Sequence, residues 1–464
     1  MTGPDGRTVE QLRAAAAEAD GAGGPVWRRM RGVAWRALGK LRGLGWALID
    51  QGFVSAGNFF TIYLLARHLR TADFGVFMLA HTGLLLLTSM QSAFLIQPHN
   101  ILAAALPQGE YRRFTGAVMF IQVCSCAGVG AALGFVGWLI WHVWSPAAGS
   151  VLMVLAAAVV PWLAQEFVRR VLYTRGESRA AAQNDFVTYG LQLAGAFLLV
   201  RWWADLASAE TALAVLGGSS FAGALLGLWQ LRGHVRFGRA SLVSLARTWH
   251  EVWHFGKWLI GQNTLVWFGV QGHTWIVGLL LGAEQVGFYR AAIHLANVMN
   301  IVRQASISYL PARGSLAYHT GGASGLARWV KTTWWTLLAA LLPFCIVLVG
   351  FPEWALSLAY GERYARADLA LILALSTIAQ CVLFSKFPFD IGMLALRDPK
   401  SIFYVQLIPV VLVLTSGVAL IHFLGILGVP ISGIVVSSAL FVATWLAYRR
   451  VARRHRSAAA QTAE

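Results

Sequence analysis

Two arginines stand inside an apolar stretch: Arg290 and Arg303 both fall in the run from Val286 to Leu310, which is long enough to cross a bilayer. A charge at the bilayer centre costs about 2.5 to 3.5 kcal/mol on the insertion scale, so each needs a compensating role. At helical spacing Arg290, His294, Asn297, Gln304 and Ser308 share one face, and Asn300 and Arg303 widen it along one edge. A planar guanidinium with five donors matches phosphate oxygens two at a time. The chemistry expected of this stripe is recognition of an anionic head group by Arg290 and Arg303, supported by His294, Asn297 and Gln304. The competing explanation is that these side chains satisfy one another, snorkel, or bond to neighbouring helices.

Milder polar faces accompany this one. His81, Thr88, Ser92 and His99 follow one another on a second run, and Gln51, Ser55 and Asn58 share a face of the first. Together they predict a hydrated cationic cavity in which His81 and Asn58 take part. Arg67 and Arg70 sit at a turn on the base-poor side, where they would guide a departing head group or, more simply, bond to Asp73. Asp50 and Glu166 are intramembrane acids and so candidates for ion coupling, although Glu166 has Arg169 and Arg170 one turn on. Cys124, Cys126, Cys345 and Cys381 all fall in apolar runs, without metal-site or disulfide spacing, and read as small hydrophobes. Nothing has the pattern of a nucleotide-binding loop, a metal cluster or a catalytic dyad, so neither cofactor nor metal is expected, and the chain reads as a transporter rather than an enzyme.

The elements that must position these groups are membrane helices. Of the 464 residues 57% are hydrophobic and only 12% charged, about half the charged share of a soluble domain. Twelve runs can span: Leu44–Ala66, Phe74–Gln97, Phe114–His142, Ala148–Phe167, Phe186–Trp203 and Thr211–Leu231, then Trp258–Leu281, Val286–Leu310, Trp329–Phe351, Leu369–Phe389, Ile402–Phe423 and Ile426–Tyr448. The net charge of +17 does not indicate nucleic acid, because the bases are spread between these runs. With the termini placed inside, and bases at the edge of a span such as Arg201, Lys331 and Lys386 counted with the adjoining loop, thirty Lys and Arg fall on that side and five outside, with Arg290 and Arg303 left in a span. The positive-inside rule therefore puts both termini in the cytoplasm. The outside connections are too short for a catalytic domain. No cleavable signal peptide is visible, since the first 40 residues lack an apolar core segment.

Residues 1–25 are expected to be a disordered cytoplasmic tail. Residues 26–43 suit a basic amphipathic helix on the anionic inner leaflet, or equally a topogenic basic flank with no stable helix. A six-helix half over 44–240, a second over 241–448 and a basic tail over 449–464 complete the organisation. The halves are inferred from a repeat: Leu69–Ala80 aligns with Leu281–Ala292 at an offset of 212, matching Leu69 to Leu281, Gly75 to Gly287, Phe77 to Tyr289 and Ala80 to Ala292. Pro98 and Pro311 follow, and then Arg112-Arg113-Phe114 and Arg328-Trp329. An even number of spans per half relates the two by an axis along the membrane normal, the plan of rocker-type transporters with a site between halves.

Two motifs carry a family resemblance. SAGNFFTIYLLARHLRTADFGVFMLA, from Ser55 to Ala80, has a polar Asn in helix one, then Ala-Arg, then an acid-aromatic-Gly turn; QEFVRRVLYTRGESRAAAQND, from Gln165 to Asp185, has an Arg-Arg, Tyr, Arg-Gly sequence. With these the chain resembles the polysaccharide-transporter branch, the Wzx-like oligosaccharide flippases, of the MOP flippase superfamily. The resemblance implies an all-α integral membrane protein of about twelve helices in two pseudo-symmetric six-helix halves. It also implies movement of a polyprenyl-diphosphate-linked oligosaccharide to the outer leaflet of a bacterial inner membrane, with membrane lipids and polysaccharide assembly proteins as partners. The related lipid II flippases carry additional helices that this chain lacks. The alternatives are a drug or metabolite antiporter of the same superfamily, which would be expected to offer intramembrane carboxylates rather than arginines, and a membrane polysaccharide polymerase, which would need a large outer loop.

Overall fold

The computed structural model describes residues 26–103, 106–233, 245–396 and 398–461; the tail over 1–25 lies outside them, as do the side chains over 26–43, on which the amphipathic reading rests. The described residues are helical, in the order α1 (Val26–His68), α2 (Thr71–Ala103), α3 (Gln108–Val143), α4 (Pro146–Thr174), α5 (Ser178–Trp202) and α6 (Ala209–Leu231). There follow α7 (Leu245–Leu281), α8 (283–321), α9 (323–350), the short α10 (Pro352–Tyr360), α11 (Ala367–Ala395), α12 (399–424) and α13 (Gly428–Gln461). Leaving α10 aside, these are twelve spanning helices, six before and six after the 231–245 connection. The chain turns from α8 to α9 at Gly322, whose φ of 58° and ψ of −156° lie in a region that glycine alone enters easily.

The reason for the polar faces is visible in which helices pass as plainly apolar. Eight stretches are long and apolar enough to cross a membrane, and the last of them, Ser401–His455, contains both α12 and α13. Neither α1, α5 nor the first part of α8 is among them. These are the helices that carry Asp50, Gln51 and Asn58, then Asn184, Asp185 and Gln192, then Arg290, His294, Asn297, Asn300 and Arg303. Most of their polar groups find protein partners, as intramembrane polar residues must: Asp50 on α4, Asn58 on α5, Asn184 on α6, Arg290 on α7 and Asn297 on α11.

The repeat read in the sequence is a contact in space. A methyl group added at Gly75 of α2 would lie 1.7 Å from the Ala283 carbonyl oxygen, and one at Gly287 of α8 would lie 2.1 Å from that of Thr71. The offset of 212 that relates Gly75 to Gly287 also relates Thr71 to Ala283, so each glycine packs against the repeat-mate of its partner's neighbour. This reciprocity is what a pseudo-two-fold axis between α2 and α8 demands, and only a residue without Cβ allows backbones this close. The largest buried cluster sits here and joins the halves, with Phe74, Phe77 and Met78 packed among Val286, Tyr289 and Ala292.

Candidate functional site

Arg290 enters this junction one turn below the glycines. Its Nη1 donates to Gln271 Oε1 at 3.2 Å and Thr274 Oγ1 at 3.4 Å, both on α7. Its Nε is buried without a hydrogen-bond partner, as is His81 Nδ1 on α2. His81 and His294 both lie within electrostatic reach of the Arg290 guanidinium. His294 Nε2 is 3.1 Å from the Phe59 carbonyl of α1, and its ring stacks on Phe59 at 4.6 Å. The His81 ring stands edge-on to Trp162 of α4 at 6.1 Å. The guanidinium is thus hydrogen-bonded from α7, with His81 of α2 and His294 of α8 in electrostatic reach and themselves packed on Trp162 of α4 and Phe59 of α1. Among the described residues no carboxylate is paired with it.

Below Arg290, α8 tightens to a 3₁₀ turn at Asn297–Met299 and the polar stripe becomes a relay. Gln380 of α11 donates to Asn297 Oδ1 at 3.1 Å, Asn300 donates to the same oxygen at 3.2 Å, and Arg303 Nε donates to Asn300 Oδ1 at 3.0 Å. Arg303 is half-buried and lines a narrow cleft with Ser306, Leu341 and Phe384. Asn300 holds the Nε edge of its guanidinium, and among the described residues no acceptor is seen for its terminal amino groups. The Gln304 side chain lies outside those described.

The other candidates are placed elsewhere. Asn58 accepts from Gln192 of α5 at 3.3 Å, on the first-half side and apart from the α8 groups. Asp50 and Glu166 belong to a buried ion-pair network around Arg169. Arg169 lies 3.0 Å from Glu166 Oε2, 3.7 Å from Asp50 Oδ2 and 2.5 Å from Asp185 Oδ2, and Tyr173 donates its hydroxyl to Asp50. Arg170 takes the second Glu166 oxygen at 2.8 Å. Gln165 donates to both Asn184 Oδ1 and Asp185 Oδ1 at 3.0 Å. Counting Arg169 as a loop base was therefore a misreading, since it is 7% exposed and Asp185 is fully buried. Lys386, also counted with a loop, is buried too and pairs with Asp390 at 2.5 Å within α11. Sequence reading passed over Asp185 although it closes the second motif, because its partners lie on other helices.

At the face opposite the chain termini, Arg67 donates to Tyr63 Oη at 2.8 Å and to the Ala359 carbonyl at 3.3 Å, so its bonds are to these groups and not to Asp73. Arg70 is exposed one turn away.

Twelve spans in two halves that meet at α2 and α8 define the class: the chain is a multi-pass membrane protein with the fold of the MOP-superfamily transporters. It is similar to a multidrug resistance MATE family transporter of that superfamily in an inward-facing conformation, with a TM-score of 0.68 and 12% identity, covering 89% of this chain and 99% of that one. It is similar to the lipid II flippase MurJ in an inward closed conformation, with a TM-score of 0.65, 11% identity and coverages of 88% and 89%. A third likeness, to a MOP superfamily transporter from Pyrococcus furiosus described as having a binding pocket of reverse polarity, has a TM-score of 0.61, 12% identity and coverages of 89% and 95%. In sequence, residues 211–369 match the family described as polysaccharide biosynthesis protein. No curated protein sequence matches the chain. Fold and family match agree with the resemblance carried by the two motifs, to a Wzx-like MOP flippase.

Proposed function

We propose that the chain flips a polyprenyl-diphosphate-linked oligosaccharide from the cytoplasmic to the outer leaflet of a bacterial inner membrane by alternating access, in the service of polysaccharide assembly. The observation that carries this reading is the Arg290 guanidinium, partly buried between the halves within electrostatic reach of two histidines and, among the described residues, paired with no carboxylate. A cation held in that way is compensated when an anion arrives, and a diphosphate offers charge and acceptors of the right geometry. The distribution of bases supports cytoplasmic termini, and with that orientation the Arg67 turn faces outward. The two halves rock about the α2–α8 junction while the lipid tail stays in the bilayer, and the protein makes and breaks no covalent bond.

Translocation of a lipid-linked saccharide in reconstituted vesicles tests this. Arg290→Ala is expected to lower the rate by about tenfold to a hundredfold, the weight of one or two hydrogen bonds to a charged group. The protein should still insert and purify. Full activity in Arg290→Ala and Arg303→Ala alike would rule out the cationic site. A multidrug exchanger of this fold would instead move cations and be indifferent to both changes.

A further inference from the structure

Four of the five bases assigned to the face opposite the termini lie in two connections, Arg67 and Arg70 at the α1–α2 turn and Arg363 and Arg366 between α10 and α11. Arg366 pairs with Asp368 at 2.8 Å, and Arg67 and Arg363 reach across. The last turn of a helix leaves carbonyls without intrahelical partners. At the end of α1 the Leu65 carbonyl is taken by Leu69 N–H at 2.9 Å. The next two are taken by a side chain of the other half: Arg363 Nη2 donates to the Ala66 oxygen at 2.6 Å and to the Arg67 oxygen at 2.8 Å. Tyr364 Oη adds a second donor to Ala66 at 3.1 Å. Arg67 returns the contact through the Ala359 carbonyl. Ala66 is fully buried, whereas both guanidinium groups are exposed on their outer side.

We propose that this clasp is an anion-released latch: Arg363 and Arg67 hold the outer mouth shut on neutral carbonyls and open it by exchanging them for phosphate oxygens. The helix end attracts the cation through its partial negative charge, but only modestly. A phosphate or diphosphate is an ionised acceptor and forms hydrogen bonds about twice as strong as a neutral carbonyl does. An arriving head group would thus take the donors that join the halves, releasing α1 from the α10–α11 connection as it leaves. Tyr63, Tyr360 and Tyr364 lie under the clasp with ring centroids 5.3 to 5.9 Å apart, a packed floor that stays closed until the clasp parts.

The orientation assumed rests on the function proposed above, but the test does not need a saccharide. Ala66→Cys, in a background without the four native cysteines, reports opening through its reaction with a water-soluble maleimide in phosphatidylcholine nanodiscs. The clasped protein should react slowly, and Arg363→Gln or Arg67→Gln about tenfold faster, the effect of losing one hydrogen bond to a charged group. Inorganic pyrophosphate should accelerate the parent by a similar factor and the Arg363→Gln protein not at all; chloride at equal ionic strength should do nothing. Acceleration by phosphatidylglycerol in the disc instead of pyrophosphate would identify the bilayer as the source of the phosphate. Parent-like rates in both variants, no response to either anion, or an equal response to chloride would overturn the latch. Failure of the saccharide assay at Arg290 would leave these rates unchanged.

Discussion

Arg169, buried, and Arg290, partly buried, are both guanidiniums within membrane helices, with opposite surroundings. Arg169 is met by Asp50, Glu166 and Asp185 from α1, α4 and α5, so its charge is compensated within one half. Arg290 is met by amide and hydroxyl groups and by two histidines at the boundary between halves. Taking a charge out of water costs several kcal/mol unless a partner is supplied. The first arginine receives its partners from the protein and ties three helices together; the second lacks one and is suited to a partner that comes and goes. Both are arginines inside the membrane, Arg169 buried and Arg290 partly buried with its Nε enclosed. Among the described residues it is the carboxylates, present at Arg169 and absent at Arg290, that separate scaffold from site.

The sharpest way to break this comparison is to remove Arg169. Arg169→Met would leave the buried Asp50 and Asp185 without a cation and Glu166 with Arg170 alone, and unpairing a buried ion costs about 3 to 5 kcal/mol. The expected outcome is a large drop in thermal unfolding temperature in detergent, with loss of monodisperse protein, partly restored by adding Asp185→Asn. An unchanged melting temperature would deny the network its structural role.

Arg290→Met should behave in the opposite sense. An apolar side chain of similar length in place of an uncompensated charge is neutral or stabilising, by about 1 to 4 kcal/mol at most. Its melting temperature should therefore equal or exceed the parent's, while the transport loss predicted for Arg290→Ala persists. A variant that melts early would mean that Arg290 holds the halves together, and the contrast with Arg169 would collapse.

How far such contrasts could be read in the sequence depends on the distance between partners. The twelve spans follow from local hydropathy, and the Gly75–Gly287 pairing from a repeat at constant offset, so both were legible. The α8 stripe was legible as well, because 3.6-residue periodicity gathers Arg290, His294 and Asn297 on one face. What a helical face cannot tell is which helix lies opposite. Asn58 looked equivalent to the α8 groups, yet it turns to Gln192 on α5. Arg169 looked like a loop base because Asp50, 119 positions earlier, and Asp185, on the next helix, become its neighbours only after packing. Arg363 gave no sign of reaching the end of α1, since a cap made by a side chain 297 residues away from the carbonyl it binds has no local signature.

The finest test lies within α8, where Arg303 stands between the two extremes. Among the described residues no carboxylate pairs with it, but Asn300 holds its Nε at 3.0 Å and is itself held by Asn297 Oδ1, which also accepts from Gln380. If this relay only aims the guanidinium, Asn300→Ala removes one hydrogen bond to a charged group and frees the side chain to rotate. The loss is about 1.5 to 3 kcal/mol where the bond is fully buried, and Arg303 is only half-buried, so the expected decline in translocation is a few-fold, smaller than at Arg290. The change should appear as weaker apparent affinity for the lipid-linked saccharide, with the maximal rate nearly kept, because cargo must then order the side chain on arrival. Arg303→Ala should be no worse than the double variant with Asn300→Ala, since the amide acts through the arginine. An additive double loss would mean that Asn300 meets the cargo itself, and the uncompensated region would then extend one turn further down α8.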